Sequence, residues 1–338
     1  MWELRNSTPY KADFTWVQDP NGARRWVVVV KGTFDIGLDG QLSLSEEQVD
    51  PVVAPEYFGD DGESSLRYEM DMIPPKPGTD VYVVGHAYAP NGQPTTRMSV
   101  ALGVGGQRKI LEVTGERVWQ RDLADVSPSS PAAFEKMPIT YERAYGGHDT
   151  TSDDLAKQRM FTDNPIGTGH VARKAHLIDQ PVANIEYPGA SPGSRGAAGF
   201  GAICSYWSPR LAYGGTYDAK WIEKRKPLLP EDFDPRFYMC APPDQQFIPH
   251  LRGGTEIELV NLHPHGALRF ALPKIFLAFT TTIALRRSQR TEEHRAKLHT
   301  VILEPDFPRL SMVWHTSLPC HHEPDYLEST FIREKPYI

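Results

Sequence analysis

The sequence predicts a mainly β protein in which antiparallel β lobes are joined by a long, loop-rich central segment with a few short helices. Both ends of the chain contain runs rich in β-branched residues, which favour strands. The 30 prolines are almost double the usual share of about 5%, and they lie among aromatic residues rather than in low-complexity tracts. Residues 138–250 show almost no apolar periodicity, so we expect ordered loops there.

The first predicted unit is an N-terminal antiparallel β module, residues 1–126. Residues 26–36 read WVVVVKGTFDI, which is dense in β-branched residues and ends at a Gly-Leu-Asp-Gly turn, so they predict a long strand and a hairpin. Further strands are predicted at 80–88, 97–104 and 109–119, separated by Asn-Gly and Gly-Gly turns. At Ser127 the sequence SPSSPAA is unsuited to a sheet ladder, and we place a boundary there.

The second and third predicted units are the central segment, 127–250, and a C-terminal β module, 251–338. The central segment has helix candidates at 152–160 and 218–226, the latter ended by Pro227. In the C-terminal module a helix is predicted at 288–298, SQRTEEHRAKL. Its predicted strands are 254–262, 267–272, 275–285, 299–305 and 309–318. We expect the three segments to form one compact unit.

Charge and cysteine usage limit the classes of partner and compartment. The 43 acidic and 36 basic side chains give a net charge of -7, which does not favour nucleic acid or an anionic membrane. The three cysteines are widely spaced and odd in number, which fits a reducing compartment. The start of the sequence, MWELRNSTPYK, lacks the apolar stretch of a secretory signal. The longest uncharged apolar run, 275–285, is shorter than the ~20 residues of a membrane span. We therefore expect a cytoplasmic protein without membrane insertion.

Histidines near the end of the chain are the first candidates for metal ligands. The stretch VWHTSLPCHHEPD lacks the two spaced ligand pairs of a structural zinc site and reads better as a polar tail. It contains His315, Cys320, His321, His322 and Asp325.

A second pair, His263 and His265, has the spacing that places two side chains on one face of a strand, but Pro264 indicates a turn. Two ligands alone do not make a metal site. A metal-dependent hydrolase that uses His263, His265 and the tail histidines remains the alternative from another functional class.

Nucleophilic and cofactor motifs are weak or missing in the sequence. Residues 189–193, GASPG, match the nucleophile-elbow pattern formally, but Ser191 has neither an apolar strand before it nor a helix after it. No Walker loop, dinucleotide-binding glycine motif or zinc-protease motif occurs. We expect no catalytic residue, no metal and no cofactor. A glycan-binding β protein with exposed tryptophans is a further alternative.

The central segment instead carries distinctive aromatic and charged combinations. They include YERAYGG at 141–147, NPIGTG at 164–169, GTYDAKW at 215–221 and PLLPEDFDPRF at 227–237. Asp218 is placed to cap a short helix that bears Trp221. Such proline-fixed segments either close a core or provide a docking surface.

With KGTF, PPKPGTDVYVVGHAYAP, NIEYP, AAGFGAI, WSPR, CAPPDQQ and LRGGTEIEL, these motifs follow one another in an order that resembles a bacterial family of domains of unknown function. Members of that family are encoded beside PAAR-like spike proteins and toxic effectors of the type VI secretion system. The resemblance covers nearly the whole chain. It implies an effector adaptor or chaperone that holds an effector, or its PAAR-like carrier, in the cytoplasm and assists loading onto the VgrG spike.

The resemblance also marks positions within these motifs, although it assigns no established site among them. They are Tyr141, Glu142, Arg143, Asn164, Pro165, Trp207, Arg210, Tyr217, Trp221, Asp232, Phe233, Asp244 and Gln245.

Tyrosine, tryptophan and arginine are the residues that most often anchor protein interfaces. The predicted protein-binding residues are therefore Tyr141, Arg143, Trp207, Arg210, Tyr217, Trp221 and Phe233. We expect these residues to converge on one face of the protein. This face, or an unpaired strand edge beside it, is expected to take up a cargo segment by β-augmentation.

Overall fold

The computed structural model describes residues 2–122, 125–285, 288–319 and 327–336, and strands dominate this part of the chain. The strands of the first half are β1 (Glu3–Asn6), β2 (Lys11–Gln18), β3 (Arg24–Ile36), β4 (Leu42–Leu44), β5 (Glu56–Tyr57), β6 (Leu66–Tyr68), β7 (Thr79–Val83), β8 (His86–Tyr88), β9 (Arg97–Val104), β10 (Gln107–Thr114), β11 (Trp119–Arg121), β12 (Val126–Pro128), β13 (Lys136–Pro138), β14 (Tyr145–Gly146), β15 (His148–Asp149) and β16 (Arg159–Met160). Those of the second half are β17 (Thr168–Gly169), β18 (Ile185–Glu186), β19 (Gln246–Phe247), β20 (Glu256–His263), β21 (Gly266–Ala271), β22 (Phe276–Leu285), β23 (Ser288–Arg295), β24 (Lys297–Glu304), β25 (Arg309–Pro319) and β26 (Leu327–Lys335).

The helices are short. The two α-helices are α1 (Arg210–Tyr213) and α2 (Ala219–Lys224) in the described residues. Short 3-10 helices occur at Pro90–Gly92, Tyr141–Arg143, Leu155–Lys157, Lys174–Leu177, Pro235–Tyr238 and Pro243–Gln245. The prediction of a mainly β protein with a few short helices is confirmed. No helix in the described ranges has the length and apolar character needed to cross a membrane.

Three large sheets organise the strands. One sheet has the order β19-β7-β24-β25-β3-β2, with β4 also paired to β3. A second has the order β18-β10-β9-β20-β21, and a third the order β1-β26-β22-β23. Most neighbours are antiparallel, whereas β24–β7 and β1–β26 are parallel.

Strands from the two ends of the chain share these sheets. β7 pairs with β24, β9 with β20 and β1 with β26, so residues 1–126 and 251–338 do not each form a sheet of their own. The long apolar strand β3 is one reason, because its four consecutive valines are fully buried and both of its edges are paired. One edge pairs with β2, and the other pairs with β25 from the C-terminal segment. Ser127, the expected boundary, pairs with Gln120 in the β11–β12 hairpin.

Two helix predictions differ from the structure. Residues 288–295 form β23, which pairs with β22 along its whole length, so pairing with a long neighbouring strand outweighs the helical preference of SQRTEEHRAKL. At 152–160 only the 3-10 turn Leu155–Lys157 forms, followed by β16. The helix predicted at 218–226 is confirmed as α2.

The main apolar core draws side chains from all three large sheets. Its members include Val28 of β3, Leu102 of β9, Phe279 of β22 and Trp314 of β25. A second cluster lies on the other face of the seven-stranded sheet, where Tyr82 and Ile302 meet side chains of the central segment. The central segment is therefore packed against the seven-stranded sheet.

Candidate functional site

Residues 209–238, which we call the strap, form the part of the central segment that carries most of the predicted anchors. Its turns are held by aspartates. The Asp218 carboxylate caps α2 by accepting from the Trp221 amide at 2.8 Å, and Asp234 caps the next 3-10 turn in the same way. Asp232 accepts from both the amide and the hydroxyl of Thr216, which joins the residues before α2 to those after it. The aspartates of GTYDAKW and PLLPEDFDPRF thus fix local backbone.

Two arginines attach the strap to the rest of the fold. The Arg210 guanidinium donates to the Glu69 carboxylate at 2.6 Å and to the Ile203 carbonyl at 2.5 Å, and it is 4% exposed. The Arg225 guanidinium donates to the Pro20 carbonyl and to the Asn21 side chain, in the turn between β2 and β3. The strap is therefore linked to two separate parts of the N-terminal chain.

Three of the seven predicted anchors are inside the protein. Tyr141 and Trp207 are 2% and 0% exposed and contact each other edge to face, with ring centroids 5.6 Å apart. The Tyr141 hydroxyl donates to the Gly201 carbonyl, and burial raises the pKa of this phenol well above its usual value. With Arg210, these residues cannot contact a partner in this conformation. Sequence placed them on a surface, and the structure places them in the core.

The other four anchors remain accessible to different degrees. Arg143 is half-buried and donates to Glu116 and Asn184, which occupies its guanidinium. Tyr217 is 55% exposed and contacts the half-buried Trp221 at 4.8 Å between ring centroids. Phe233 is half-buried beside Phe237 and Tyr238.

The strap also exposes aliphatic side chains, namely Leu211 and Ile222. We call the set of accessible apolar residues Leu211, Tyr217, Trp221, Ile222 and Phe233 the strap surface. A cleft of about 270 Å³ adjoins Trp221 and is lined by side chains of both charges, including Lys220 and Glu231. Exposed aromatic and aliphatic groups beside mixed charges are typical of protein interfaces with a polar rim.

An unpaired strand edge lies beside the strap. β2 is bonded to β3 along eight residues, and no other strand of the described ranges pairs with its second edge. The strap meets the end of this hairpin through Arg225 and through Leu228, whose Cδ2 lies 2.6 Å from the position that a Cβ on Gly22 would take. The Phe14 amide donates to the Asp13 carboxylate instead of to β3, so it faces the free edge. This edge is available for β-augmentation.

His263 and His265, the pair that a metal-dependent hydrolase would use, contact each other in a turn. The His265 amide donates to Nδ1 of the nearly buried His263 at 3.2 Å, and burial lowers the pKa of His263. In the described ranges no three His, Cys, Asp or Glu side chains are grouped to hold a metal ion. His315 lies in β25 and is 3% exposed, whereas Cys320, His321, His322 and Asp325 lie outside the described residues.

Sequence reasoning missed a buried polar layer beneath the central segment. Lys76 and Asp80 form an ion pair at 2.6 Å, and both side chains are buried. The Asp80 carboxylate also accepts from the amides of Cys240 and Ala241. Gln245 donates to the carbonyls of Val81 and Phe200, and so the CAPPDQQ motif fixes the segment onto β7. Cys240 is fully buried, as expected for a packing role.

Two buried histidines, His299 and His315, and the half-buried His250 continue this layer and also escaped prediction. The rings of His250 and His299 stack at 5.2 Å, and those of His299 and His315 lie 4.1 Å apart. Burial lowers the pKa of each imidazole, and the charge of the nearby Lys76 further lowers the pKa of His299 and His315. The three rings are therefore neutral at neutral pH. No local motif marks them, because the sheet brings them together from distant positions.

Comparison with known proteins gives one match. A family model described as "Uncharacterized protein conserved in bacteria (DUF2169)" matches residues 21–315, which include the strap and most of the three large sheets. No curated protein and no solved structure matches the chain.

Proposed function

Because this chain belongs to the bacterial family DUF2169, we propose that it is a non-enzymatic adaptor or chaperone of the type VI secretion system. Its partners are a toxic effector or the PAAR-like carrier of that effector, and it assists loading onto the VgrG spike. It acts in the cytoplasm, without nucleic acid and without membrane insertion. The ordered motifs that resemble this family support the cellular role.

The observation that carries the binding role is the division of the motif aromatics into two groups. Tyr141 and Trp207 are packed in the core, whereas Tyr217 is 55% exposed against Trp221. An exposed tyrosine that rests on a second aromatic ring presents a large contact area with few free torsions, as interface anchors do. The strap surface is thus the best-placed contact for cargo.

The free edge of β2 provides a second contact for the same cargo. An extended segment that pairs with β2 gains main-chain hydrogen bonds, and the end of that strand lies beside the strap at Arg225. Pairing requires the Phe14 amide to exchange the Asp13 carboxylate for a cargo carbonyl. On release, the exposed main-chain groups of β2 need only form hydrogen bonds again with their original partners or with water.

The test is co-expression with the adjacent PAAR-like protein and the putative toxin, followed by pull-down and size-exclusion chromatography. Tyr217→Ala with Ile222→Ala removes two side chains that are more than half exposed. Trp221 is unsuitable for this purpose because its indole also donates to the Leu228 carbonyl and so holds the strap together. The matched control is Leu38→Ala with Phe307→Ala, which removes equally exposed apolar groups elsewhere.

We expect the strap double variant to weaken cargo capture by tenfold or more, on the order of 1.4 kcal/mol, with unchanged circular dichroism and melting temperature. The control pair should bind as the wild type does. Ala12→Pro tests the edge separately, because Ala12 is two residues from Phe14 and its amide faces the same way. No complex with either product, or undiminished capture by the strap variant, contradicts the proposal.

A further inference from the structure

A cleft of about 810 Å³ lies apart from the strap surface. It is bounded by residues 249–253, the beginnings of β22 and β24, the middle of β25 and the end of β26. Its volume falls in the range of about 300–1,000 Å³ that small-molecule sites occupy. None of the five residues of the strap surface lines it.

The floor of the cleft is apolar and continuous with the main core. Leu277, Leu298, Met312 and Trp314 line it, and each is at most 5% exposed and belongs to the core cluster. Ile275 extends the same surface toward solvent. The apolar body of a ligand would therefore leave water and contact side chains that already form one hydrophobic layer.

The rim of the cleft carries one sign of charge. Its ionisable residues, apart from His250, are Arg252, Arg295, Lys297 and Lys335, and no carboxylate of the described ranges lines it. Lys335 is 3.9 Å from Glu293, and Arg295 lies over the Phe276 ring at 5.0 Å.

Arg252 and Lys297 are exposed and form no ion pair with any residue that the structure describes. In a chain of net charge -7, this local cluster creates a positive potential over an apolar floor. A ligand that carries a negative charge at one end would meet both features at once.

The lining also discriminates between kinds of anionic ligand. Pro249, Pro273 and Pro336 contribute to it, and proline has no amide hydrogen to donate to a peptide carbonyl. These three positions therefore offer no main-chain donor to an extended peptide. The cleft offers an apolar floor for a chain and cations for a single acidic head.

We propose that this cleft binds an amphiphilic carboxylate, of the fatty acid class. The alkyl chain lies on the floor formed by Leu298, Met312 and Trp314, and the carboxylate is held at the rim by Arg252 and Lys297. This site is additional to the proposed cargo-binding role and does not depend on it.

The test is isothermal titration calorimetry of the full chain with laurate below its micelle concentration. Dodecanol and dodecyltrimethylammonium are the neutral and cationic probes. We expect one laurate per chain, at least tenfold weaker binding of dodecanol and no binding of the cation. Shortening the chain to decanoate removes two methylenes and should weaken binding about fifteenfold, because each buried methylene contributes roughly a factor of four.

Charge reversal of the rim separates local recognition from net charge. Arg252→Glu with Lys297→Glu should weaken laurate binding at least tenfold. The matched control, Arg24→Glu with Arg173→Glu, makes the same charge change at exposed sites that do not line the cleft and should stay within twofold. The proposal fails if laurate does not bind, if dodecanol binds equally well, or if both double variants lose laurate affinity to the same extent. Tighter competition by an acidic apolar peptide would also overturn it.

Discussion

Replacing Arg210 by methionine tests whether a marked motif residue supports the fold or contacts a partner. Arg210 and Glu69 are 4% and 8% exposed, and methionine would leave a buried carboxylate without its cation. The carbonyls of Ile203 and Phe237 would lose a donor as well. Removing one partner of a buried ion pair costs about 3–5 kcal/mol, so we expect the free energy of unfolding to fall by about 4 kcal/mol.

The assay is urea-induced unfolding followed by tryptophan fluorescence at pH 7.5. Arg236→Met is the matched control in the same strap, because Arg236 forms an exposed ion pair with Asp234 and should lose less than about 1 kcal/mol. The double variant Arg210→Met with Glu69→Met should be more stable than Arg210→Met alone, since it leaves no unpaired charge. If Arg210→Met is as stable as Arg236→Met yet loses cargo capture, Arg210 is a surface contact and the reasoning from burial is wrong.

Two further predictions concern protonation and helix capping. Burial lowers the pKa of His294 from 6.5 to about 4, so below pH 6.5 the unfolded chain binds a proton that the folded chain does not. This group therefore lowers the free energy of unfolding by about 2 kcal/mol between pH 7.5 and 5. Over the same pH change, measured by urea unfolding, His294→Gln should lose about 2 kcal/mol less than the wild type. Equal losses in both proteins would contradict this assignment. Asp218→Ala should reduce the free energy of unfolding by about 1 kcal/mol through loss of the α2 cap, whereas Asp218→Asn should stay near wild type. No loss in Asp218→Ala, or an equal loss in the two variants, would contradict this role of the Asp218 side-chain oxygen.

Buried strands were the most predictable part of the fold. Residues 97–104 were predicted as a strand and form β9 with the same bounds, and the long strand predicted at 26–36 lies within β3. β2 and β26 were missed because their sequences, KADFTWVQ and LESTFIREK, mix charged and apolar residues as partly exposed strands do. β23 was predicted as a helix because the composition of its own residues does not reveal that they pair with β22.

The candidate site was less predictable because burial depends on distant contacts. Trp207 and Tyr217 both occur in central motifs, but only Trp207 meets Tyr141 and the second core cluster. The buried charges follow the same logic. Arg210 pairs with Glu69, which lies 141 positions earlier in the chain, and no local pattern indicates that a charged side chain is inside.

The buried charges explain how a loop-rich segment can present a defined surface. The central segment is held by the Arg210–Glu69 ion pair and by the Cys240 and Ala241 amides, which donate to Asp80 of the Lys76–Asp80 pair. The cost of desolvating each ion limits the net contribution of the two ion pairs to stability. Such ion pairs favour one packing arrangement of the central segment, since any other packing would leave a buried charge unpaired. A strap fixed in this way would lose little conformational entropy on binding the proposed cargo, which would raise affinity without adding contacts. We therefore infer that substitutions at buried motif residues lower stability and cargo capture together, whereas those at Tyr217 and Ile222 lower capture alone.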